Sequence, residues 1–207
     1  MMNNKTNLLI LLGLFTVLAL AVAAGLTDNL DQRLAFQAIG QSGSLLTDFF
    51  LLVTHAGDMI PVILLGILPF LQPYLRRTLA RPLALGLLLS TGLNLLLKEF
   101  FARERPDLGS LLTESSYSFT SGHAMINATL YLILLYYAWH QLKTPQIRIP
   151  AAFFLLAMPL AICYSRIYLG VHYVSDVLGG FLLGSLVAFL IIRGAGRELR
   201  GEEEREA

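Results

Sequence analysis

Long apolar runs constrain this chain more than any other feature of it. Residues 8–26 contain no charged side chain. At 1.5 Å per residue such a run covers the ~30 Å of hydrocarbon that a membrane helix must cross. Further runs follow at 59–75, 82–97, 122–139, 149–164 and 173–192. Lipid offers no partner for backbone N–H and C=O groups, so each run is expected to be a helix that pairs its own. The expectation is an all-α integral membrane protein with six transmembrane helices. Composition agrees, because 56% of the 207 residues are hydrophobic and only 14% are charged, too apolar a balance for a soluble domain.

Other classes are disfavoured by the same numbers. A net charge of +1 supplies no basic field for a nucleic acid. The one cysteine, Cys163, sits in an apolar run and excludes a disulfide framework and most thiolate metal sites. Without a linker, a low-complexity tract or an internal repeat, residues 1–207 read as a single membrane domain.

The remaining segments have their own character. Ala21-Val22-Ala23 mimics a signal-peptidase site, but the run is long for a signal sequence and only Lys5 precedes it, so a retained first helix is expected. Residues 28–58 place Leu30, Leu34, Ala38, Leu45, Leu46, Phe49, Phe50 and Val53 among polar residues at helical spacing. That pattern suits an amphipathic segment lying in the interface, with a break at 40–43. Pro61, Pro69 and Pro73 imply a kinked or frayed second span. Gly180 and Gly184 form a small-xxx-small pair that would let the sixth span approach a neighbour. Residues 193–207 are charged and expected to form a solvated or disordered cytoplasmic tail.

Basic residues set the orientation. Lys5, Arg76, Arg77, Arg81, Lys143, Arg148, Arg193, Arg197, Arg200 and Arg205 fall on one side of the expected membrane. Arg33, Lys98, Arg103, Arg105 and Arg166 fall on the other. The positive-inside rule then puts both termini in the cytoplasm and the polar loops outside. The outside cations run against that bias and so need a reason to be there.

Three outward segments each abut a helix end. The first runs from Lys98 to Arg105-Pro106, the second is Ser118-Phe119-Thr120-Ser121-Gly122-His123, and the third is Ser165-Arg166 with His172 and Asp176. His172 and Asp176 are four apart, so on a helix they would share a face. A carboxylate there would hold the imidazole's tautomer, as a base or nucleophile requires. Arg166 and Arg105 offer planar forks suited to phosphate. Gly122 at a helix start would let an anion approach the free N–H groups, although Ser121 there could equally be an ordinary N-cap.

Lys98-x6-Arg105-Pro106, Ser121-Gly122-His123 and Ser165-Arg166-x5-His172-x3-Asp176 together resemble the three-part signature of the type 2 phosphatidic acid phosphatase superfamily. The pattern of spans is similar to its membrane-bound branch, and the short chain to the small bacterial phosphatidylglycerophosphatase B-type and undecaprenyl-diphosphatase-like members. One position departs: Thr120 stands where the second motif usually has Pro, and slightly more loop freedom is expected. The resemblance implies His172 as nucleophile, Asp176 as its orienter and His123 as acid and base. It implies Lys98, Arg105, Arg166, Ser121 and Gly122 as ligands of the phosphoryl group, with neither metal nor cofactor. Glu99, Glu104 and Glu114 are expected to be ion-paired or solvated, because an acid in the pocket would repel the substrate.

The implied activity is hydrolysis of a lipid phosphomonoester or diphosphate at the outer face of a bacterial plasma membrane. Phosphatidylglycerophosphate, undecaprenyl diphosphate and phosphatidic acid are the substrates in view. The expected partners are that lipid and the bilayer, with no obligate protein partner evident. Two alternatives stay open: a lipid phosphotransferase using the same site, and a lipid or ion transporter whose outside cations merely attract anions.

Overall fold

In the computed structural model, which describes residues 4–39, 43–107 and 109–206, every regular element is helical. Helix α1 spans Asn4–Ala23, α2 Asp28–Ala38, α3 Leu45–Ala56 and α4 Met59–Ile67. A 3-10 turn over Leu68–Leu71, the three-residue α5 Pro73–Leu75 and a π-turn over Arg76–Ala80 lead into α6, Arg81–Phe101. Then come α7, Gly122–Gln141, α8, Pro145–Tyr168, and α9, Val174–Glu206. Proline accounts for the interruptions. Pro69 and Pro73 lack the N–H that would continue α4, and each stands in the first turn of the short element that replaces it.

Four stretches are long and apolar enough to cross a membrane: Lys5–Ala23, Thr78–Phe101, Pro145–Tyr168 and Val174–Ala195. A fifth exists if Leu45–Ala56 and Met59–Leu71, bent by 45° at their junction, count as one broken span. By length and composition, then, the described residues give four or five spans rather than the expected six. The proposed interfacial segment also divides. Its first half is α2, whereas its second half, α3, continues through the bend into α4. The break expected at 40–43 falls almost entirely outside the described residues.

The fourth expected run, α7, is not among these stretches. Its buried positions include the polar Asn127, Thr129 and Tyr131. Physically this follows from its place at the centre, packed against α6, α8 and α9. A helix surrounded by protein can direct polar groups inward without meeting lipid. Thr129 shows how: its hydroxyl donates to the carbonyls of Met125 and Gly184 at 3.0 Å each. Ser90 of α6 reaches the same hydroxyl at 2.6 Å.

The α7–α9 crossing explains the small-xxx-small pair. A Cβ on Gly180 would stand 2.5 Å from the Ser121 carbonyl, and one on Gly184 would collide with that of Met125. Only glycine lets the two backbones come this close. Around the crossing, Leu83, Leu130, Ile133 and Ile162 are fully buried. The outer faces carry exposed Leu88, Phe153 and Leu190, as a helix wall against lipid would. Beyond 192 the chain does not become irregular, since α9 continues to Glu206. The segment is rich in Arg and Glu, which favour helix when no Pro intervenes.

Candidate active site

Helices α6 and α8 end, and α7 and α9 begin, at one end of the bundle. Lys98 lies in the last turn of α6, Gly122 and His123 in the first turn of α7, Arg166 in the last turn of α8 and Asp176 in the first turn of α9. The three separate sequence segments therefore meet. Backbone hydrogen bonds fix their relative positions: Ser121 N donates to Asp176 O at 3.1 Å, and Leu111 N to Leu169 O at 2.9 Å.

His172 precedes α9 rather than standing on it, so the expected shared helix face is not how it meets Asp176. The Asp176 carboxylate folds back over the helix start, where Oδ2 accepts the Tyr173 N–H at 2.9 Å. That return brings Oδ2 to 3.5 Å from His172 Nδ1. Ser118 Oγ donates to the same Oδ2 at 2.5 Å and lies 3.3 Å from His172 Nδ1. Arg105 donates to His172 Nε2 across 3.3 Å. An acceptor at Nε2 requires the proton to be on Nδ1, facing Asp176 and Ser118. Nε2 thus carries the lone pair, engaged by Arg105, and His172 is among the residues that line the cavity described below. Burial drives the His172 pKa well below its ordinary value, with Asp176 pulling the other way, so the ring is neutral near pH 7.

The cations surround this imidazole. Lys98 Nζ donates to Ser116 Oγ at 2.9 Å and to the Tyr117 carbonyl at 2.5 Å. Arg105 also holds the Ser116 and Val171 carbonyls, at 2.6 and 2.8 Å. Arg166 is fully buried behind them and donates to Thr54 Oγ1 at 2.7 Å. Its other terminal nitrogen is bonded to Glu114, whose second oxygen lies 3.8 Å from Arg105. Glu114 is ion-paired, as expected, yet it lines the cavity instead of standing clear of it. The concentration of positive charge resolves the conflict. Burial alone would raise the Glu114 carboxyl, but Arg166 and Arg105 outweigh it and the net shift is downward. A carboxylate here occupies the place of an anion.

At the α7 start, the Ser121 hydroxyl accepts from Ala124 N at 3.5 Å. Ser121 is fully buried and, unlike Gly122 and His123, is not among the cavity-lining residues. Its observed contact is that of an N-cap. A Cβ at Gly122 would stand 2.9 Å from Asn94 Oδ1, so a larger residue here would have to push the Asn94 amide aside. The same Asn94 donates to both the carbonyl and the hydroxyl of Thr120 at 2.9 Å. Thr120 is fully buried, so this residue is tied to α6 and its loop is not the freer one expected. His123 Nε2 lies 2.8 Å from Asp58 Oδ1.

Sequence reasoning left Arg103, Asp31, Ser118 and Asp58 without roles. Arg103 donates to Asp176 Oδ1 at 2.7 Å and to Asp31 Oδ2 at 2.9 Å, and stacks 4.5 Å over the Tyr173 ring. Asp31, buried on α2, also accepts from Ser175 N at 3.0 Å. Arg103 did carry a signal, as one of the cations opposing the charge bias. Nothing in the sequence tied Asp31 to Arg103 or Asp58 to His123, since those partners are 72 and 65 residues away.

A cavity of about 450 Å³ joins these groups. Lys98, Arg105, Glu114, His123 and His172 line its polar end, and Met59, Val62, Ile63, Leu87, Leu88 and Leu95 of α4 and α6 its apolar end. A second hollow of about 560 Å³, between α7 and α8, is walled by residues such as Leu132, Trp139 and Phe153 and lacks a comparable cluster of charge. Among the described residues no group of three His, Cys, Asp or Glu is placed to hold a metal ion.

Known proteins resemble this chain in sequence and in overall structure. The PAP2 superfamily pattern matches residues 79–200. Phosphatidylglycerophosphatase B of Bacillus subtilis (strain 168) is 34% identical over 185 residues, covering 86% of this chain and 89% of that one. A putative undecaprenyl-diphosphatase of Escherichia coli (strain K12) is 30% identical over 60% of this chain and 62% of its own. The crystal structure of a transmembrane PAP2 type phosphatidylglycerolphosphate phosphatase from Bacillus subtilis superposes with a TM-score of 0.81 at 29% identity, over 92% of this chain and 96% of that one.

Proposed function

Because the chain belongs to the PAP2 superfamily and is a membrane lipid phosphatase by that kinship, we propose that it removes the terminal phosphate of an anionic lipid through a phosphohistidine on His172. The observation that carries this reading is the cavity itself. Its polar end presents His172 Nε2 among cations, and its apolar end is walled by α4 and α6. A phosphorylated headgroup fits the first and the start of an acyl or prenyl chain the second.

In the first step Nε2 attacks phosphorus, the bond from phosphorus to the lipid oxygen breaks, and that oxygen takes a proton from His123. In the second step water attacks the phosphohistidine, gives its proton to His123, and the N–P bond breaks to release phosphate. Lys98, Arg105, Arg166 and the N–H groups at the α7 start offset the charge that builds on the phosphoryl oxygens. Asp176 keeps His172 in its Nδ1–H tautomer and balances the positive charge of the phosphorylated ring. Ser121 serves by capping α7 and so fixing where those N–H groups point. No step needs a metal.

Phosphatidylglycerophosphate is the first substrate to test, from the name of the Bacillus subtilis relative, and undecaprenyl diphosphate and phosphatidic acid follow. The charge bias favours an extracytoplasmic site with both termini in the cytoplasm of a bacterial plasma membrane. Two further observations support this. The α2 that follows α1 touches the start of α9 through Asp31 and Ser175, so α1 runs toward the site and α9 away from it. Four of the five cations opposing the bias, Lys98, Arg103, Arg105 and Arg166, cluster around His172 and Asp176, and Arg33 of α2 does not. On the same reading α7 and the bent α3–α4 pair complete six crossings.

The test is phosphate release by purified protein in detergent with EDTA across those lipids, together with rapid acid-free quenching of labelled substrate. We expect a base-stable, acid-labile phosphoryl label that is absent from His172→Ala. Label retained by His172→Ala, or no release from any lipid phosphate, would overturn the reading.

A further inference from the structure

The junction of α3 and α4 holds a second imidazole–carboxylate arrangement. Asp58 stands at the N-cap position of α4, where the two helices bend by 45°. Asp is among the best residues for capping, because its carboxylate accepts the free N–H groups of the first turn. Asp58 makes no such side-chain bond. Both its oxygens go to histidines instead: Oδ1 lies 2.8 Å from His123 Nε2, and Oδ2 lies 2.8 Å from His55 Nδ1. A capping carboxylate withdrawn from its own helix is being used for something else.

We propose that Asp58 is the positioning residue for His123, and that His55 in turn holds Asp58. The inference rests on the reading of His123 as the acid and base of the phosphatase cycle. By accepting the Nε2 proton, Asp58 fixes the tautomer in which Nδ1 is the working nitrogen, and its charge favours the protonated ring that must act first as acid. Nδ1–H then gives its proton to the departing lipid oxygen, and Nδ1 takes one back from the attacking water, so His123 ends the cycle as it began. His55 needs no part in that transfer. With 61% of its side chain exposed, it steadies the free oxygen of Asp58 from the side away from His123.

The experiment measures single-turnover release of the leaving group from two substrates, phosphatidylglycerophosphate and 4-nitrophenyl phosphate, with the full chain in detergent. A lipid alkoxide needs the proton from His123, and a nitrophenolate hardly does. General acid catalysis contributes roughly 10²–10⁴-fold, so Asp58→Asn is expected to slow the lipid burst by about 10²-fold while leaving the aryl burst within about threefold. Asp58→Glu should recover part of the loss. The double variant His123→Ala/Asp58→Asn should be no slower than His123→Ala alone, because the two residues act as one unit.

A merely structural role would slow both substrates together, and that result overturns the inference. So does Asp58→Asn with a wild-type lipid burst. The two readings fail separately. If His123→Ala discriminates between the substrates and Asp58→Asn does not, only the role of Asp58 falls. If His123→Ala does not discriminate, the acid role of His123 falls, and the role of Asp58 with it.

Discussion

The two His–Asp pairs of this site are built in opposite ways. His172 and Asp176 expose 2% and 0% of their side chains, whereas His123 and Asp58 expose 21% and 42%. The buried pair is surrounded: Asp176 is held by Arg103, Ser118 and the Tyr173 N–H, and His172 by Arg105. The open pair rests on a single 2.8 Å contact backed by the exposed His55. Burial suits a nucleophile, because it keeps the imidazole neutral and its lone pair free of water. Openness suits a group that must meet both a departing oxygen and an incoming water. In the proposed mechanism the two roles divide along this difference in environment, since the residue types are the same.

The sharpest way to break the comparison is to remove the buried pair. His172→Ala should abolish phosphoenzyme and turnover while the protein still inserts and melts cooperatively. Asp176→Asn should lower turnover by up to about 10⁴-fold, the scale seen when a catalytic histidine loses its charged orienter. Label transfer from radioactive lipid measures both, and a near-normal rate in either would erase the asymmetry.

Next comes the open pair. His123→Ala should slow the lipid burst by roughly 10²–10⁴-fold and spare an aryl phosphate. In that variant the aryl burst reports on His172 alone. Since burial lowers the pKa of His172, its neutral form persists into acid. The burst should therefore hold as pH falls through ~6.5, where a free imidazole would gain its proton. A burst that halves near that pH would show a solvated His172.

A smaller effect is expected behind the buried pair. Arg103→Met strips one charge partner from Asp176 and Asp31, and a loss of about 3 kcal/mol in stability should follow. A detergent melt against wild type checks it, and adding Asp31→Asn should restore part of the loss. An unchanged melting temperature would mean that Asp176 needs no clamp.

Glu114 tests whether the cavity is preset for an anion. Its carboxylate bridges Arg166 and Arg105 and has to yield to the substrate phosphate. Glu114→Gln should tighten orthovanadate inhibition by about tenfold, ~1.4 kcal/mol for one partly screened charge. Weaker inhibition would show instead that Glu114 orders the arginines. The smallest expected effect is that of EDTA, which should leave the rate unchanged because the charges on the phosphoryl group are met by Lys98, Arg105 and Arg166. A loss of activity restored by Mg²⁺ would mean that the two pairs do not suffice.

The sequence by itself determined what local chemistry can write. Apolar run length dictated helices, Pro69 and Pro73 dictated the break after α4, and Gly180 with Gly184 marked a close crossing. Likeness to a family signature singled out Lys98, Arg105, His123, Arg166, His172 and Asp176, but the helix face expected to join His172 to Asp176 gave way to a turn before α9. Only the tertiary structure decided what depends on contacts between distant segments. It put Asp58 on His123, Asp31 on Arg103 and Glu114 between two arginines, and it set α7 at the centre of the bundle. A carboxylate looks the same in sequence whether it faces water or a buried arginine. What distinguishes the two is the neighbour that packing supplies, and no periodicity or spacing encodes a partner 65 residues away.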